Sequence, residues 1–195
     1  MSIDQGIRGA RVHDDRPEVG VGVDRAAGPR SGERSESGGF GVLALPATWV
    51  VAWALALGGV HAPGYVAHDG NTVNAIRWML YLPAGWMFMV SSVMHTVFAR
   101  KTARLIGWQT NGFQYELGFV SLGLGIAGVY ASSHGPQSWI AVTIPTTTFL
   151  FFAGVNHVVE MVRKHNFHPG NTIVCVSDFG LPISLWALLL AAHAV

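Results

Sequence analysis

The chain carries one cysteine, Cys175. A lone thiol cannot close an internal disulfide, and it cannot supply a cysteine pair or cluster for a metal. Its ordinary role is that of a small hydrophobe near a helix end. Charge is also scarce, with only 12% Asp, Glu, Lys and Arg and a formal net charge of +1. No basic stripe with interleaved aromatics runs along the chain, so nucleic acid is excluded as a partner. A nucleophile elbow, a phosphate-binding glycine loop and a zinc-protease helix are all missing. No motif therefore points to an enzyme.

Hydrophobicity is abundant, at half of all residues, and it is separated from the charge. Residues 1–39 hold 13 charged residues, six of them Arg, while the 156 positions from 40 onward hold 10. A segment rich in Gly, Arg, Asp, Glu and Ser cannot bury enough apolar surface to offset ordering, so residues 1–39 are expected to be a disordered tail. The remainder is too apolar for an ordinary soluble domain.

A membrane span needs about 20 largely apolar residues. The sequence has room for five, at about 40–60, 75–99, 111–131, 139–162 and 172–194. The expected fold is thus all-α, a multi-pass transmembrane helix bundle. Val60-His61-Ala62 also resembles a signal-peptidase site, which would leave four spans. The charged tail in front of it favours a retained helix. Pro83, Pro145 and Pro182 fall inside spans, where neighbouring helices satisfy the freed carbonyls.

Basic residues orient the bundle. The tail, the loop after the second span (Arg100, Lys101, Arg104) and the loop after the fourth (Arg163, Lys164) carry them; loops 61–74 and 132–138 carry none. This pattern places the chain in the cytoplasmic (inner) membrane, N-terminus inside and C-terminus outside. Arg77 near the outer end is the exception. Trp78, Tyr81, Trp108, Tyr115, Tyr130 and Trp139 lie near span ends, as interfacial aromatics do.

Ionisable groups at membrane depth are costly and point to function. With a rise of 1.5 Å per residue, His95, Glu116, His157, Glu160 and Asp178 all lie roughly 6–10 Å from the cytoplasmic ends of their helices. Five groups from four helices thus share one leaflet. Helical spacing gives each a face. His157 and Glu160 continue the stripe Thr146, Phe149, Leu150 and Ala153. His95 continues Ala84, Phe88, Ser91 and Ser92, a small, polar stripe of the kind that packs helix on helix in lipid. Asn111, Gln114, Gly118, Ser121, Gly125 and Gly128 form another, with Glu116 on the opposite side. Asn156 adjoins His157.

Each residue also has a purely structural use. Asn111-Gly-Phe-Gln114 is spaced as a capping box. Glu116 suits a helix N-terminus. Glu160 can pair with Lys164 or Arg163. A neutral His95 or His157 can simply bond across helices. Asp178, before Gly180 and Pro182, could cap a helix after an irregular start. At the other end, His61, His68, Asp69, His134 and His193 read as solvated loop residues.

Gly107-Trp108, Phe113-Gln114-x-Glu116 and Asn166-Phe167-x-Pro169-Gly170-Asn171 resemble an uncharacterised family of small prokaryotic multi-pass membrane proteins. The resemblance covers roughly residues 75–190 and leaves out the first span and the tail. It implies a compact bundle of about four helices with no assigned activity. In size and layout the chain is also distantly similar to the small DoxX-like membrane proteins.

Three functions compete. The leading one is a small transporter-like or membrane-complex subunit with His157 and Glu160 as a protonatable pair, supported by His95, Asp178, Glu116, Gln114 and Asn156. The second is a redox subunit in which His95 and His157 bind haem or a metal. No cofactor is required by the sequence. The third is a structural or assembly factor whose polar groups lock helices together. The partners expected are the lipid bilayer and a further membrane protein or a second copy.

Overall fold

The structure, a computed structural model, describes residues 39–195, with side chains from Leu43 onward. The expected tail lies outside the described residues, except that Gly39 opens the first helix. Among the described residues every regular element is helical. The order is α1 (Gly39–Leu57), α2 (Asn71–Tyr81), a π turn (Leu82–Trp86), α3 (Met87–Thr96), α4 (Ala99–Ile106), α5 (Gly112–Ser132), α6 (Pro136–Lys164) and α7 (Pro169–Ala191).

Each apolar run forms a helix. Two of them, α6 and α7, are long and apolar enough to cross a membrane, and a third qualifies if α2 through α4 is one bent span. Five spans therefore exceed what length and composition alone establish. The α5 helix has 21 residues, but Glu116 and its glycines and serines dilute its apolarity. The α1 helix is apolar throughout but shorter, with 19 residues.

Pro83 has no N–H to offer the turn before it. The helix stays continuous by widening into the π turn, where the Met87 N–H reaches back to the Leu82 carbonyl. After Thr96 the chain bends by 102° into α4. The sequence reading ended the second span at Ala99 and left a basic loop. Instead Ala99, Thr102 and Ala103 bury one face of a short amphipathic helix, while Arg100, Lys101 and Arg104 stay exposed on the other.

Small residues set the packing. Gly118, Ser121, Gly125 and Gly128 are buried on the side of α5 that meets α3 and the π turn. A Cβ at Gly128 would lie 2.6 Å from the Ala84 carbonyl oxygen. The helices meet there backbone to backbone, as close packing in lipid favours. The α6 helix packs on α7, and α1 packs on α2 and α7, where Trp49 and Trp53 both donate to Ser184 Oγ (3.1 and 3.2 Å).

Polarity is distributed inside out. Asn171, Thr143 and Thr146 are fully buried, whereas Ile183, Phe119 and Leu190 are more than 60% exposed. A soluble domain hides such side chains in its core. An exterior of large apolar residues around small and polar contacts suits a lipid surround.

Arg77 proves central at the far end of the bundle. It is 6% exposed and pairs with Asp69 (Nε–Oδ2 2.7 Å). It also donates to the carbonyls of Ser132 (2.7 Å) and His134 (3.2 Å) and lies over the Trp139 ring. The guanidinium fork thus ties α2 to the α5–α6 turn. Trp139 is buried beneath it, and Trp78 is buried with its N–H on the Val60 carbonyl. These two rings are interior, not interfacial as expected, because Arg77 and the α1–α2 loop cover them. His61 stacks on Tyr65 and His134 on Tyr130, so the outer histidines join separate local contacts.

Candidate functional site

The short strings singled out in the sequence meet in space. Gly107 closes α4 in the left-handed conformation (φ +74°), and a Cβ there would strike the Asn166 side chain at 2.7 Å. Asn166 Nδ2 donates to the Ile106 carbonyl (3.0 Å), and Asn166 Oδ1 accepts from the His168 N–H (3.2 Å). One residue into α7, Gly170 lies against the Leu105 carbonyl so closely that no side chain fits. The result is a joint between α4 and the start of α7.

That joint positions His157. Asn171, fully buried, donates through Nδ2 to the carbonyls of His157 (3.2 Å) and Asn166 (3.0 Å). Its Oδ1 is thereby the acceptor that meets His157 Nδ1 at 2.7 Å. Nδ1 must carry the hydrogen, so the neutral ring presents Nε2 as a bare acceptor. Nε2 faces Asp178 Oδ2 at 3.9 Å. Asp178 is 2% exposed, and its Oδ2 finds no hydrogen-bond partner among the described residues. Two lone-pair atoms therefore confront each other unless one proton sits between them. Trp108 covers the imidazole, with ring centroids 5.3 Å apart.

On the open side lies a cavity of about 650 Å³ between α3, α4, α5 and α6. His95, Gln114, Asn156 and His157 all line it. Gln114 Nε2 donates to the Ala99 carbonyl (2.9 Å) and lies 3.5 Å from His95 Nδ1. Its side chain fastens the α3–α4 bend, and so does Thr102 Oγ1, which donates to the Met94 carbonyl (2.7 Å). Only half of the expected capping box forms. Asn111 accepts from the Gln114 N–H, but Gln114 does not reach back.

Other expected residues lie elsewhere. Glu116 is exposed on the outer side of α5. Glu160 pairs with Lys164 at 2.7 Å, and neither residue lines the cavity. Asp178 stands behind His157, outside the cavity lining. It sits mid-way along α7 rather than at a cap, because Gly180 and Pro182 are absorbed without a break. The helix partner of His157 is thus on α7, 14 and 21 residues away, not on its own helix.

His95 and His157 share the cavity wall, as a two-histidine iron site would require. Both ring nitrogens of His157, however, meet side chains of α7. Ligation by His157 would first require the ring to leave Asn171 and Asp178. Among the described residues no group of three or more His, Cys, Asp or Glu side chains is placed to hold a metal ion. Cys175 donates weakly to the Asn171 carbonyl (3.6 Å) and stands apart from the cavity.

These features define an all-helical bundle with an apolar exterior, small-residue contacts and a polar pocket at one end. The chain belongs to a family of unknown function, DUF6790, whose family model matches residues 44–195. The match begins inside α1, so the first helix belongs to the family domain and not outside it as the short motifs implied. No curated protein and no solved structure matches the chain.

Proposed function

We propose that this is a multi-pass protein of the cytoplasmic membrane that binds a small molecule in the cavity and holds an exchangeable proton between His157 and Asp178. It acts as a transporter-like or ligand-binding subunit and not as an enzyme. The single observation that carries this reading is the tautomer fixed by Asn171, which leaves an acceptor nitrogen facing a buried, unpartnered carboxyl oxygen. A purely structural contact would be satisfied on both sides.

The topology proposed is five spans, with the N-terminus inside. In support, Arg100, Lys101 and Arg104 of α4 and Arg163 and Lys164 of α6 are exposed, and the α4–Asn166 contact brings both segments to the same end. The far end offers only Arg77, which Asp69 neutralises. That removes the exception to the positive-inside pattern. The packing of Trp49 and Trp53 on Ser184, with Asn74 gripping Val60 and Ala62, supports a retained α1.

The test is infrared spectroscopy of the purified protein in lipid across a pH series. A protonated-carboxyl band is expected to titrate in the wild type and vanish in Asp178→Asn. His157→Gln is expected to move its midpoint. If neither substitution alters the titration, the pair is only packing.

A further inference from the structure

The lining of the cavity narrows its occupant, granted that the cavity is a binding site. We propose that it takes an uncharged, planar lipophile bearing a carbonyl-type hydrogen-bond acceptor, admitted from the bilayer. The volume of about 650 Å³ suits one molecule of that kind, since ligand pockets run from about 300 to 1,000 Å³.

Three observations set the chemistry. First, no Asp, Glu, Lys or Arg lines the cavity. A charged ligand would lose its hydration with no counter-charge to meet it. Second, the walls carry the rings of Phe88, Phe149 and Trp108, and Phe113 and Phe152 stand at the rim. Such rings favour a flat partner in stacked or edge contact. Third, Trp108 Nε1 is buried in this wall without a hydrogen-bond partner among the described residues. An indole N–H only donates, so the group it meets must accept.

The route of entry follows from the rim. Phe113 and Phe152 are 77% and 63% exposed, on the same apolar exterior as Phe119 and Val155. The mouth therefore opens between α5 and α6 towards the surface that faces lipid under the proposed topology. On the cytoplasmic side α4 closes the cavity with Thr102, Ala103 and Ile106, and its basic residues point away.

The test uses the full-length protein in phospholipid nanodiscs and three probes of equal chain length: a decyl benzoquinone, decylbenzene and decanoate. Calorimetric titration is expected to show saturable binding of the benzoquinone, with decylbenzene weaker by roughly two- to tenfold for one lost hydrogen bond. Decanoate is expected to be the weakest. Trp108→Phe keeps the ring and removes the donor. It should lower benzoquinone affinity to the level of decylbenzene while leaving decylbenzene unchanged. Equal affinity of the two in the wild type, no effect of Trp108→Phe, or preferred binding of decanoate would each overturn the proposal. Should Trp108→Phe fail to fold, Ala153→Phe, which fills the cavity, serves instead: saturable binding that survives it overturns the assignment. If no probe binds while the Asp178-dependent titration persists, the ligand class is wrong and the proton site stands. Loss of both defeats the functional reading as well.

Discussion

Replacing Asn171 with alanine should test the core of the site most directly. The side chain makes three hydrogen bonds, to His157 Nδ1 and to the carbonyls of His157 and Asn166, at full burial. Side-chain hydrogen bonds inside membrane bundles average about 0.6 kcal/mol each, so three amount to roughly 2 kcal/mol. The true cost is somewhat higher, because the substitution also strands a buried imidazole N–H. For a domain of this size each kcal/mol moves the melting temperature by about 2–4 °C, which gives a fall of about 4–8 °C. Thermal unfolding in detergent, followed by tryptophan fluorescence, reads that difference. Thr172→Ala is the matched control one residue on: its hydroxyl bonds only to local carbonyls of its own helix start. That variant should stay within about 0.5 kcal/mol of the wild type. If Asn171→Ala melts within 1 °C of Thr172→Ala by the same scale, the amide is not what orients His157, and the tautomer argument fails with it.

Arg77→Met should cost about 3–5 kcal/mol, because Asp69 is left unpaired and partly buried; adding Asp69→Asn should recover much of the melting temperature, and no recovery would contradict the pairing. Gly128→Val should destabilise by about 1–3 kcal/mol or more, since the added carbon meets the Ala84 backbone and no rotamer relieves it; Gly123→Ala, in open space on the same helix, should be neutral or stabilising in the same melt. Glu160→Gln should change stability by less than about 1 kcal/mol, because Lys164 is 70% exposed. It should also leave the carboxyl infrared titration untouched. A shifted titration there would return Glu160 to the proton site.

The helices were legible because each apolar run is long and the turns between them carry Pro, Gly and Asn. The three stripes were legible for the same reason: a fixed angle per residue sorts faces whatever the neighbours are. The stripe from Gly118 to Gly128 does meet α3 and the π turn. The Glu160–Lys164 pair is local and could be read from spacing alone. What escaped is what depends on distant chain. Eight residues with three basic side chains read as a loop, and only the burial of Ala99, Thr102 and Ala103 makes them α4. Asn171 read as part of a turn, because nothing in the sequence says that its amide crosses to His157. Trp78 and Trp139 sit near span ends, yet Val60 and Arg77 enclose them. The Gly107-Trp108 and Asn166…Asn171 strings were noticed as a likeness. Their physical reason, a joint between α4 and α7, appears only in three dimensions.

The π turn at Leu82–Trp86 has a consequence for how sequences of this kind tolerate change in length. A π turn holds one residue more than the α turn it replaces. Deleting one residue there would restore ordinary winding and rotate everything downstream by about 100°. His95 would then swing off the cavity wall, although no residue of the site, no hydropathy value and no span length had changed. The angular phase of α3 is therefore encoded by a residue count. Substitutions within the turn that keep Pro83 should be mild, whereas single insertions or deletions between Tyr81 and Met87 should disconnect the two histidines.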